Sequence, residues 1–228
     1  MSDNESEVSG VEDIVTPGAA VFICIGAIAA AAAPHFFLAR PVELYQNGQI
    51  GPWIGLVTWM PTFLAAVAIF CGVDFESSAK DPLVDSTDVG LAGAVLLPVV
   101  ASVGFAWLNF DGYEHVGSWA ELGKAMAIYG VAYGLAPLFW QGFVQAYALK
   151  EVPAVARILI LTLAGVAVWL PYGFVEGWGS VSGLLWEHVI IFAALAIVFE
   201  LGVTVTVTMI SGFLIGLGWA FAHQMTFF

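Results

Sequence analysis

The chain has 228 residues, of which 61% are hydrophobic and 10% charged, and its mean hydropathy is +0.93. A water-soluble domain of this length cannot hide so much apolar surface. Lys and Arg total 5 against 18 Asp and Glu, a formal net charge of -13, which repels phosphate backbones and excludes nucleic acid as a partner. What remains is an all-α, polytopic membrane helical bundle: a multi-pass protein of the cell membrane whose first partner is the lipid bilayer.

Residues 1–14 carry Asp3, Glu5, Glu7, Glu12 and Asp13 and read as an acidic disordered tail. A second acidic group, Asp74, Glu76, Asp81, Asp85 and Asp88, falls between apolar runs. Acidic water-facing pieces on an apolar body suit a salt-loving organism. Residues 15–228 read as one transmembrane domain. Its first span, Val15 to Leu38, has no basic residue before it, the first being Arg40, so it reads as a retained helix and not as a signal peptide. At about 1.5 Å per residue it reaches roughly 36 Å, enough for a hydrocarbon core of about 30 Å.

Further spans are predicted at Trp53 to Val73, Gly90 to Asn109, Gly123 to Leu149 and Arg157 to Phe174. The remaining stretch from Leu184 to Phe228 would measure about 68 Å as a single helix, so it must fold back. Glu200-Leu201-Gly202 is the expected break, giving a short sixth helix, Leu184 to Phe199, and a seventh, Val203 to Phe228. Six spans result if the sixth segment is only re-entrant. Gly212, Gly216 and Gly218 predict close helix packing on the last span. Pro137 removes a backbone donor from the fourth, which predicts a bend there, with Gln141 or its neighbours satisfying the freed carbonyl around Tyr133.

Polar side chains within the spans are few. Gln141 and Gln145 share a face of the fourth helix and either hydrogen-bond a neighbouring helix or line a cavity. Glu187 and His188 are placed at the water interface, and His223 lies near the end of the last span. Cys24 and Cys71 read as buried apolar-run side chains, and the four histidines show no paired ligand spacing, so no metal is expected. No cofactor is expected either: there is no GxGxxG after a strand, and the last lysine, Lys150, lies outside the final helix where a retinal pump needs one.

Two resemblances bear on function. Gly179-Ser180-Val181-Ser182-Gly183, followed by Ala222-His223, looks like the GxSG and AH pieces of rhomboid intramembrane serine proteases. That would pair Ser182 with His223, while the Gly-rich string alone reads as a loop. Ala136 to Gln145, with Gly142, Phe143 and Gln145 in frame, resembles the first motif (EExxxRGxxQ) of the CAAX-prenyl-endopeptidase and bacteriocin-processing (CPBP) family of membrane proteases. Val166 to Gly173 is similar to the second motif, and His223 with Phe227 falls on the third, HxxxN.

The CPBP resemblance covers residues 123–228 and implies that family's scaffold as a core. The family's paired glutamates fall on Ala136 and Pro137, its arginine on Gln141, its first histidine on Trp169 and its asparagine on Phe227. His223 is the one retained position, so no catalytic set is intact. A carboxylate is needed there to activate water, and neither Ala nor Pro can accept a proton.

The resemblance therefore implies a scaffold without protease activity. It also implies a cavity lined by Gln141, Gln145, Trp169, Tyr172, Trp219 and His223, suited to a lipid-like ligand or a membrane protein partner's transmembrane helix. The alternatives are an active intramembrane endopeptidase, CPBP-type or using Ser182 with His223 or a displaced carboxylate such as Glu176 or Glu187, and a structural subunit of a membrane complex.

Overall fold

The computed structural model describes residues 22, 25–26, 79, 83, 90–108, 119–176 and 178–224, with the backbone alone at 91, 121, 124, 128, 168–176, 178–184 and 223–224. The predicted tail and most of the first two predicted spans lie outside these residues. The described chain forms α1 (Leu91–Leu108), α2 (Trp119–Pro137), a π-helical segment (Leu138–Ala148), α3 (Ala154–Glu176), α4 (Trp178–Glu200) and α5 (Val205–Gln224). No strand occurs among the described residues. The last five predicted spans each coincide with helix. Two stretches, Ala125–Ala148 and Val205–Ala222, are long and apolar enough to cross a membrane.

Punctuation in the sequence accounts for several boundaries. Proline at 153 cannot continue a helix from the preceding turn, but its carbonyl accepts the Arg157 amide at 3.0 Å and starts α3. The predicted break after α4 is present. Leu201 and Gly202 form the turn, and Gly202 takes φ 82°, a left-handed conformation that favours glycine. The α4 helix is longer than the predicted Leu184 to Phe199. It begins at Trp178, and the Gly179 to Gly183 string read as a loop is helical backbone. Glycine costs about 1 kcal/mol in a helix, which continuous apolar packing further along can offset.

At Pro137 the backbone changes from α to π winding. The ring removes the amide that would have bonded the Tyr133 carbonyl. Gln141 or its neighbours are the expected partners of that carbonyl; Gly212 of α5 lies against its oxygen. The π winding persists to its end, where the Leu149 amide donates to Val144, five residues back, at 2.9 Å.

Packing divides the helices into two groups. The first group contains α2 and α5, which run antiparallel with Gly212 against the Tyr133 carbonyl and Gly216 against that of Tyr129. Gly218 opens space for Val103 of α1, and Trp107 of α1 stacks on Phe221 with ring centroids 6.2 Å apart. The second group is the α3–α4 hairpin, also antiparallel, in which Gly165 receives the ring of Phe192. Tyr129, Leu161, Ile191, Ile215 and Trp219 belong to one buried cluster that joins both groups.

Candidate functional site

Where the two groups meet, the contacts change character. Within the first group the α2 and α5 backbones approach at glycines; at the seam, long side chains reach each other through hydrogen bonds. Three levels of the seam follow one another along α4.

The innermost level is set by Glu187 and His188. Consecutive helical residues point about 100° apart, so the pair addresses two helices at once. Glu187 accepts a hydrogen bond from Trp219 Nε1 of α5 at 2.8 Å. A bond of 2.9 Å joins His188 Nε2 to Tyr133 Oη of α2. Tyr129 meets Trp219 edge-on with centroids 4.9 Å apart, and both acid–base side chains are 2% exposed. This corrects the expectation that Glu187 and His188 sit in interfacial water. With α4 starting at Trp178, position 187 falls well inside the helix, and the tyrosine and tryptophan supply the polar partners that burial demands.

The middle level is aromatic: Trp140 of the π segment packs edge-on against Phe192 of α4 at 5.4 Å. At the outer level Gln145, fully buried, donates from Nε2 to Glu200 Oε1 at 2.7 Å and to the Ala196 carbonyl at 3.1 Å. Arg157, at the start of α3, grips the same carboxylate with both arms, Nε to Oε1 at 2.7 Å and Nη2 to Oε2 at 2.6 Å. This bidentate pair is 3% and 0% exposed. The Arg157 Nη1 donates to the Val152 carbonyl at 2.7 Å, so one guanidinium serves both the carboxylate and the turn that ends the π segment.

Two acceptors in this region are left over. Gln141 Oε1 and Gln145 Oε1 are buried and have no hydrogen-bond partner among the described residues; Ser102 Oγ of α1 is a further such atom.

Of the predicted lining residues, Gln141, Gln145 and Trp219 are buried, with Gln145 and Trp219 both bonded across the seam. Gln145 meets the expectation of a bond to a neighbouring helix. Trp169, Tyr172 and His223 lie on helical backbone with side chains outside the described set, as do Ser182 and Glu176. Phe227 lies outside the described residues altogether. Sequence reasoning missed Tyr129, Tyr133 and the Arg157–Glu200 pair. The available signal was a lone charge opening one span and another closing the next, positions that an antiparallel hairpin brings together. Among the described residues no group of His, Cys, Asp and Glu could hold a metal ion. No protein-family model, curated protein or solved structure matches the chain.

Proposed function

We propose that this chain is a multi-pass bundle of seven membrane helices with a CPBP-like scaffold that has no peptidase chemistry and holds an apolar, lipid-like ligand or a partner's transmembrane helix. One observation carries the loss of chemistry. Ala136 and Pro137, where the resemblance requires carboxylates, are buried side chains without a proton acceptor, and Glu200, which meets the π segment at Gln145, is neutralised by Arg157. The membrane setting is supported by apolar side chains that face outward: Leu96, Leu97 and Val100 on α1, and Val155, Leu159 and Leu163 on α3, each at least half exposed.

Purification in mild detergent, with mass spectrometry of co-purifying lipids and proteins, tests this reading. The expected result is a retained lipid-like molecule or one membrane partner, with no cleavage of a transmembrane reporter. Turnover that disappears in Glu187→Gln would overturn it. That second reading, a hydrolase with a relocated base, is favoured by one observation: Glu187 and His188 are adjacent and buried beside Tyr133 and Trp219. Turnover lost only in Ser182→Ala would point to the serine dyad instead.

A further inference from the structure

Burying an amide oxygen without a donor is costly, because water's hydrogen bond is lost and not replaced, and the π segment carries two such oxygens four positions apart, on Gln141 and Gln145. Their side chains are 1% and 0% exposed. The Gln145 amide cannot be turned round to relieve this. Its nitrogen already faces two acceptors, Glu200 Oε1 and the Ala196 carbonyl, and exchanging nitrogen for oxygen would set oxygen against oxygen at both. Positions four apart in a helix wound with i→i+5 bonds lie on one flank. Helical π insertions recur at functional sites.

We infer that Gln145 Oε1, with the Gln141 amide on the same flank, forms a binding site for a neutral hydroxyl, which donates to the Gln145 oxygen. Charge decides the class. An anion is refused by amide oxygens next to the Glu200 carboxylate. A cation gains little, because Arg157 already neutralises that carboxylate in a bidentate pair, and no acidic or histidine cluster stands by among the described residues. A hydroxyl needs only an acceptor, and it comes either from water or from the head of a long-chain alcohol. The alcohol source rests on the apolar-ligand reading above; the water source does not.

The full chain in lipid nanodiscs distinguishes the two sources. Oleyl alcohol and its methyl ether, which has no donor, are titrated against wild type, Gln141→Leu and Gln145→Leu. In the alcohol case wild type binds the alcohol about tenfold more tightly than the ether, one hydrogen bond's worth, and either substitution removes the difference. In the water case the two probes bind alike or not at all, and magnetisation passes from water to the Gln145 side-chain amide in wild type and is lost in Gln141→Leu. No preference for the alcohol together with no water contact overturns the inference. Gln141→Leu keeps the test decisive if Gln145→Leu fails to fold, since the Gln145 bonds to α4 are untouched in it. Reporter cleavage would overturn the proposed function and leave the water arm standing.

Discussion

Replacing one hydrogen by a methyl group at Gly216 drives carbon into the carbonyl oxygen of Tyr129, and at Gly212 into that of Tyr133. Backbone cannot swing aside as a side chain can. Gly216→Ala is therefore expected to destabilise the chain by about 1–3 kcal/mol, the range for overpacking a tight contact. Gly165 is crowded in a different way: an added Cβ would meet Cβ and Cγ of Phe192, the near end of a side chain whose ring packs on Trp140, so Gly165→Ala should also be destabilising, by about 1–3 kcal/mol. Gly104 has nothing within 4 Å of an added Cβ, and Gly104→Ala should be neutral or stabilising by up to about 1 kcal/mol through helix propensity. Denaturation midpoints of the three variants in one detergent check the order. Equal midpoints would mean that α2 and α5 do not pack through their backbones.

At the scale of elements, the Arg157–Glu200 pair is what fastens the open end of the α3–α4 hairpin. Removing one partner leaves a buried charge uncompensated, so Arg157→Met or Glu200→Leu alone should cost about 3–5 kcal/mol, while the double variant should recover much of that loss. A thermal-unfolding cycle on the four proteins measures the coupling; additive losses would show that the two residues act separately.

The helices themselves were legible in the sequence, since uninterrupted apolar runs admit little else. The Gly90 to Asn109 run became Leu91–Leu108, and the Glu200-Leu201-Gly202 break came out in place because a charge and a glycine interrupt the pattern there. What misled was Gly179 to Gly183, whose composition belongs to a loop in water yet continues as helix. That error shortened α4, moved Glu187 and His188 toward an end, and hid the innermost level of the seam. Partner identity was illegible for a different reason. Tyr133 and His188 are 55 positions apart, and nothing in local pattern encodes which helix faces which.

For the whole molecule, the outward stripe of Val155, Leu159 and Leu163 on α3 separates two environments. In hydrocarbon a carboxylate near a span's centre costs about 2.5–3.5 kcal/mol on insertion scales, whereas an exposed substitution in water usually changes stability by less than about 0.5 kcal/mol. Leu159→Asp is expected to lower the yield of membrane-inserted, folded protein severalfold. Unchanged yield and unfolding temperature would place this face in water. The same hairpin also imposes an order on the chain's birth. The Arg157 guanidinium is made 43 residues before the carboxylate that neutralises it, so α3 emerges from the ribosome carrying a charge it cannot yet bury. Its first turn keeps that charge solvated until α4 is complete, and the two helices then settle as a pair.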